Sequence, residues 1–335
     1  MTPLPRPGLL NLITDVPGLL VGHVTDDTVR SGATVLRTDG FWAAAVDVRG
    51  GGPGTRETEA LAPENLVGRV HAIALAGGSV FGLAVADGVV AALSAQGQGL
   101  ALKPGSPAIP VVPAAVLHDL GNGGDRAWGL EPPYRRWGIE AVAAAAREFA
   151  LGRVGAGRGA MAGHLPGGLG SASLDLGDGL VVGALVAANP IGSVYMPDGH
   201  TFWAWPFEID GEFGGHRPQG HAPVVDPLPE ASRLADLGRL QPGVNTTLAV
   251  VACNADLSTA ECKRLAMMAQ DGIARAVRPA HTPFDGDTVF ALASGAQGLG
   301  DGRARAVQLG RLGSAAADCL ARALARAVHE AARGG

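Results

Sequence analysis

Apolar positions follow two rhythms along this chain. Short, nearly unbroken apolar runs lie at residues 71–76, 180–188, 247–253 and 288–293. They show no polar alternation, so they predict strands covered on both faces. Between them lie stretches with helical spacing: 80–95, the alanine-rich 139–150, 258–277, and 315–333, which ends at Gly334-Gly335. The clearest helix is 258–277. Ser258 and Glu261 form a capping box that satisfies two otherwise unpaired backbone donors. Cys262, Leu265, Ala269, Ile273 and Ala276 then recur along one face. Gly77-Gly78-Ser79 reads as the turn from a strand into a helix, with Ser79 as its N-cap. Residues 197–244, rich in Gly, Pro and His, read as long surface loops. No internal repeat is evident. Apolar strands sandwiched by helices predict a layered α/β protein.

Composition narrows the class. Hydrophobic residues make up 47% and charged residues 17% of 335, which excludes a disordered chain. The 51 glycines follow no G-X-Y period, and aromatics are only 4%, so the core is expected to pack small side chains closely. A formal charge of -5 argues against nucleic acid as a main partner. Three cysteines without a C-x-x-C pair predict neither a disulfide framework nor a zinc knuckle, and point to a reducing cytoplasm. The first residues lack the pattern of a signal peptide, and no run has the length of a membrane span.

Several stretches could carry chemistry. Residues 157–162 fit the G-x-G-x-x-A form of dinucleotide binders, but no βαβ context surrounds them, so a loop allowing close backbone approach is the plainer reading. Residues 47–57 form a second glycine loop holding Arg49 and Arg56; it lacks the Lys-Ser/Thr ending of a phosphate loop, and either a tight turn or a role beside a pocket fits it. Gly77-Gly78-Ser79-Val80-Phe81 approaches a serine-hydrolase elbow but has Phe81 in place of the last glycine. His281, Asp285 and Asp287, with His216 and His221, could be proposed as metal ligands; the plain alternative is an Asp-Gly turn entering the strand at Thr288. If buried, two carboxylates so close would raise each other's pKa. Asn245-Thr246-Thr247 opens a buried strand. It can be a simple strand start, a glycosylation sequon, or a self-cleaving bond. In the last case Thr246 becomes a new N-terminus whose α-amine serves as base for its own hydroxyl.

Taken together, residues 14–26, 46–67, 73–89, 154–160, 167–173, 188–192, 245–255 and 274–295 resemble the DmpA-type aminopeptidases in their order and motifs. This family includes the L-aminopeptidase/D-Ala-esterase/amidases and β-peptidyl aminopeptidases. The Asn-Thr-Thr and Asp-Gly-Asp forms resemble its threonine branch, with the nylon-oligomer endohydrolase. The resemblance implies a four-layer α/β/β/α sandwich, a single domain over 1–335, cut into chains 1–245 and 246–335. It implies Thr246 as nucleophile, Asn189 as oxyanion donor, and Asp285 and Asp287 as the pair orienting the Thr246 amine and hydroxyl. The bond Asn245-Thr246 is the implied cleavage site. His164 stands where the nylon hydrolase has a lysine, and with Arg49 and Arg56 is a candidate auxiliary or substrate-binding residue. The implied substrate is a small peptide or peptide-like amide, hydrolysed without metal or cofactor by a cytoplasmic homo-oligomer of two-chain units. A ligand-binding protein on the same scaffold and a metal-dependent hydrolase are the competing readings.

Overall fold

The computed structural model describes residues 4–220, 226–235 and 245–334. Eleven strands are described: Leu19–Asp26 (β1), Ser31–Val48 (β2), Gly54–Arg56 (β3), Arg69–Ala76 (β4), Ala114–Val116 (β5), Met161–Ala162 (β6), Leu165–Pro166 (β7), Gly168–Asp175 (β8), Val181–Asn189 (β9), Thr246–Ala255 (β10) and Thr288–Gln297 (β11). Four α-helices accompany them: Val85–Ala95 (α1), Tyr134–Ala143 (α2), Thr259–Ala276 (α3) and Gly302–Arg333 (α4). The main sheet runs β3-β5-β4-β2-β11-β10-β9-β8, with β1 also pairing β2; β6 and β7 form a small ribbon.

Three separate apolar cores divide this sheet into layers. On β10, Ala249, Val251 and Cys253 pack with α3 and α4, while Leu248, Val250 and Ala252 turn to a central core. That central core also receives Leu36 of β2 and Ile73 and Leu75 of β4. The opposite faces of these strands, with Ala33, Val35, Ala72 and Ala74, pack on α1 and α2. The order is therefore helices, sheet, sheet, helices, the expected four-layer α/β/β/α sandwich. Strands buried on both faces have no polar side to alternate with, which explains the apolar runs.

The two sheet layers are joined through β2. Its first half pairs with β1 and β4, and its residues Ala43–Val48 pair with β11. A register irregularity between Arg37 and Trp42 marks the passage. β10 and β11 lie side by side in parallel, flanked by β9 and β2, which come from earlier in the chain.

Several expectations are corrected. The helix expected at 139–150 spans Tyr134–Ala143 instead. Tyr134 and Trp137 are buried anchors of its first turn, and Ala146 has left the helix to pair with Val21 of β1. The last helix begins at Gly302, well before residue 315. Ser79 caps nothing: Gly78 takes the N-cap position of a 3₁₀ turn, and Ser79 itself has φ 52°. The described part of 197–244 is loop-rich, yet Phe202, Ala204 and Phe213 are buried against the α4 core. The α3 capping box is formed as expected, with Ser258 and Glu261 each engaging the other's backbone. All three cysteines are buried and free. Among the described residues, no helix is long and apolar enough to cross a membrane.

Candidate active site

Four strand ends converge beside Thr246. β9 ends at Asn189, β10 begins at Thr246, β11 begins at Thr288, and β2 ends at Val48. Register places Thr246 opposite Asn189, and Thr288 opposite both Val48 and Leu248. The loop entering β11 runs alongside the residue before β10, so that Asn245 bridges Asp285. The topology thus gathers Thr246, Asn189, Asp285 and Asp287, which lie far apart in sequence. All four are at most 1% exposed.

The Thr246 hydroxyl donates to the carbonyl oxygen of Asn245 at 2.5 Å. The same oxygen accepts the Gly286 N–H at 2.9 Å. A hydroxyl and a backbone donor therefore sit on one peptide carbonyl, the geometry that polarises it for attack. Gly286 permits this approach. A Cβ there would lie 2.5 Å from the Gly52 carbonyl and 2.8 Å from the Thr246 Oγ. The 47–57 loop forms the wall behind: Gly52 N–H donates to Asp285 O, and Arg49 N–H to Asp287 O.

Asn189 has its amide orientation fixed by its partners. Its oxygen accepts the Met161 N–H at 2.9 Å, so its nitrogen is the donor end, 3.5 Å from His118 O. Arg233 braces this corner from behind, reaching Met161 O and Pro190 O at 3.0 Å. Burial lowers the Arg233 pKa to about 10, against the opposing pull of Asp285. Burial also lowers the His118 pKa.

The two aspartates are held differently. Asp285 accepts Ile191 N–H on one oxygen, and Thr282 N–H and hydroxyl on the other. Its pKa rises to about 6, first because it is buried and then because Asp287 lies close by. Asp287 accepts Thr247 N–H at 2.7 Å and faces His281 Nδ1 at 2.8 Å. Neither carboxylate contacts the Thr246 hydroxyl while that group engages Asn245 O. Asp287 instead holds the residue next to it.

The other candidates lie elsewhere. Arg49 directs its side chain to Asp47 and Met267 O, so only its backbone reaches the site. Arg56 pairs with Asp87 at 2.7 Å, beside α1. His164 is exposed and lines a cavity of about 600 Å³ with Ser193, Tyr195, Trp203, Asp226 and Glu230. Thr246 is not in the cavity wall. Two of its sides, however, continue from Met161 and Ile191, which hold Asn189 and Asp285. Among the described residues, no group of three His, Cys, Asp or Glu is arranged to hold a metal ion. His216 rests edge-on against His200, and His221 lies outside the described residues. The 157–162 glycine segment follows from a 3₁₀ turn at Gly155–Gly157, runs into β6 and enters no helix. Sequence reasoning missed Gly286, Arg233 and the His281–Asp287 contact. Only the glycine of Asp-Gly-Asp was visible in the pattern, and it read as a turn.

The profile of peptidase family S58 matches residues 11–334. An uncharacterized aminopeptidase of Mycobacterium tuberculosis (strain ATCC 25618 / H37Rv) is 44% identical over 338 residues, covering 96% of this chain and 94% of the relative. A 6-aminohexanoate-oligomer endohydrolase of Kocuria sp. (strain KY2) is 29% identical, covering 87% and 77%. Among solved structures, a Burkholderia sp. β-aminopeptidase superposes with a TM-score of 0.69 at 26% identity, over 98% of this chain and 88% of that one. The L-aminopeptidase D-Ala-esterase/amidase of Ochrobactrum anthropi, a variant of the Ntn-hydrolase fold, shares the fold with a TM-score of 0.64 at 20% identity, over 96% and 86%.

Proposed function

The chain belongs to peptidase family S58 and is an aminopeptidase-like amide hydrolase; on that premise we propose that it matures by cutting itself between Asn245 and Thr246 and then works through the new N-terminal threonine. In the first stage the Thr246 Oγ attacks the Asn245 carbonyl carbon. The carbon–nitrogen bond breaks as the hydroxyl proton passes to the Thr246 nitrogen, leaving an ester. Water hydrolyses that ester to an Asn245 carboxylate and a free Thr246 amine. The observation carrying this reading is the Asn245 carbonyl, met by the Thr246 hydroxyl at 2.5 Å and the Gly286 N–H at 2.9 Å.

In the second stage the α-amine takes the proton of its own hydroxyl, which a chain amide nitrogen cannot do. The oxygen attacks the substrate carbonyl, and the Asn189 amide nitrogen stabilises the oxyanion. The amine product leaves with a proton, and water releases the acyl group. Asp287 holds Thr247, the residue after the nucleophile, and the backbone at Asp285 runs alongside Asn245.

The substrate class proposed is a small peptide or peptide-like amide with a free amino end. Relatives named as aminopeptidases and an endohydrolase of an amino-acid-like oligomer support it. The reading includes a cytoplasmic homo-oligomer of two-chain units; the three free cysteines favour a reducing compartment. Intact-mass analysis of active protein tests the proposal. Two chains, 1–245 and 246–335, are expected, and an active sample consisting only of full-length chain overturns it.

A further inference from the structure

The Asn189 side chain is aimed by residues from other parts of the chain. Its amide oxygen accepts the Met161 N–H at 2.9 Å, so the placement of Met161 decides where the amide nitrogen points. Met161 lies in the β6–β7 hairpin, opposite Pro166. The neighbouring hairpin bond runs from Gly167 N–H to Ala160 O at 2.9 Å, so the N–H and carbonyl of Met161 both face away from β7. Asn189 meets the first of these groups. Arg233 meets the second, from Nη2 at 3.0 Å.

The same nitrogen reaches Pro190 O, also at 3.0 Å. Nη2 carries two hydrogens, one for each carbonyl. A single nitrogen thus ties the residue that holds the Asn189 side chain to the residue that follows Asn189 in the chain. The segment bearing Arg233 is fastened separately. The Arg233 N–H and the Ser232 hydroxyl both donate to Ile191 O, at 3.0 and 3.1 Å. Arg233 Nε is buried without a hydrogen-bond partner, so the corner tolerates a guanidinium of which Nη2 makes every side-chain bond.

We propose that Arg233 is a positioning residue for the oxyanion donor: by bridging Met161 O and Pro190 O it fixes the hairpin against Asn189 and keeps the Asn189 amide nitrogen aimed at the substrate carbonyl. This inference rests on the threonine mechanism above. The donors on the Asn245 carbonyl are the Thr246 hydroxyl and the Gly286 N–H, and Arg233 bonds to neither residue. The brace therefore serves substrate turnover and not the self-cleavage. A residue needed only for the fold would serve both alike.

The test follows the two steps separately in full-length protein: fragment formation in freshly translated chain by a gel time course, and steady-state hydrolysis of L-alanine p-nitroanilide or a 6-aminohexanoate oligomer by the cut enzyme. Arg233→Met keeps the aliphatic stem and the backbone bond to Ile191 O but removes Nη2. It is expected to be cut at the wild-type rate and to lose about tenfold to a hundredfold in kcat with KM unchanged, less than removal of the oxyanion donor itself. In an Asn189→Ala background the same change causes no further loss, since no amide is left to aim. Arg233→Lys regains most of the loss, because both bonds come from one nitrogen and an ammonium can make both. If Arg233→Met does not fold, Arg233→Gln carries the test, because its shorter amide leaves a polar group in the corner but falls short of the two carbonyls; wild-type cutting with lowered kcat is again expected. Wild-type kcat in the folded variant overturns the inference. So does cutting slowed as much as turnover, a further loss in the Asn189→Ala background, or no recovery with lysine. A cut wild-type enzyme that hydrolyses neither substrate overturns the proposed substrate class, and this inference with it. Normal turnover by Thr246→Ala overturns the threonine mechanism itself, whereas a cut and fully active Arg233→Met beside an inactive Thr246→Ala overturns only the role of Arg233.

Discussion

The two ends of β10 carry polar groups to opposite purposes. At its far end, Asn254 accepts Val181 N–H and donates to Gly179 O, and the chain turns into α3 through the Ser258–Glu261 capping box. There Glu261 lies against Arg305 at 2.6 Å, and that contact lowers its pKa to about 2. At its near end, Thr246 and Thr247 meet Asp285 and Asp287 in full burial, and Asp285 is pushed up to about 6. One end satisfies its carboxylate with a guanidinium and half-open surroundings. The other withholds such a partner and crowds two acids together. Groups tuned in this second way are available for proton chemistry, and groups tuned in the first way are not.

The sharpest break in this comparison is Thr246→Ala, which is expected to leave the chain uncut and hydrolysis undetectable while the melting temperature stays high; mass spectrometry and a turnover assay read both. Gly286→Ala comes next. The added methyl meets the Gly52 carbonyl and the Thr246 hydroxyl, so fragment 246–335 should fail to form or form far more slowly, as a gel time course would show. Asn189→Ala is expected to cost about 10²–10³ in kcat, the usual loss for an oxyanion donor, with a smaller effect on stability.

Acid–base titration separates the two ends by sign. Asp285 has a folded pKa above its ordinary 3.8, so its contribution is present below that value and is lost as pH rises through about 6. Glu261 has a folded pKa below its ordinary 4.5, so its contribution is present above that value and is lost as pH falls toward about 2. Melting curves from pH 2 to 7 should therefore lose the lower slope in Glu261→Gln and the upper one in Asp285→Asn. The smallest effect belongs to Ser258→Ala: about 1 kcal/mol of stability, read by denaturant unfolding, with turnover unchanged.

Much of the far end was legible because its signals are local. The capping box and the spacing of Cys262, Leu265 and Ala269 lie within a few turns of helix. The apolar runs of β4, β9, β10 and β11 were visible for the reason that both faces are covered. β2 was not, because Thr38-Asp39-Gly40 interrupts its middle like a turn while the strand continues into the second sheet layer. The start of α4 was missed because residues 302–311 mix arginines and glycines with small apolar residues, none of them buried, and full burial begins at Leu312. At the near end, Thr246, Asn189 and the aspartates came from motif resemblance, and the structure brings them together. The contacts of Gly286 and His281 stayed hidden, although both residues were singled out in the pattern, because they depend on how the chain packs around the site. A backbone N–H leaves no trace in a residue pattern.

β10 and β11 sit between β9 and β2, so the piece running from 246 onward is threaded between two strands of the preceding piece. Severing the chain at Asn245 turns a single molecule into a pair with no tether, and its refolding becomes a search between two partners. Thermal denaturation of cut material should then be a one-way event that depends on heating rate and concentration, whereas the uncut Thr246→Ala chain should recover on cooling.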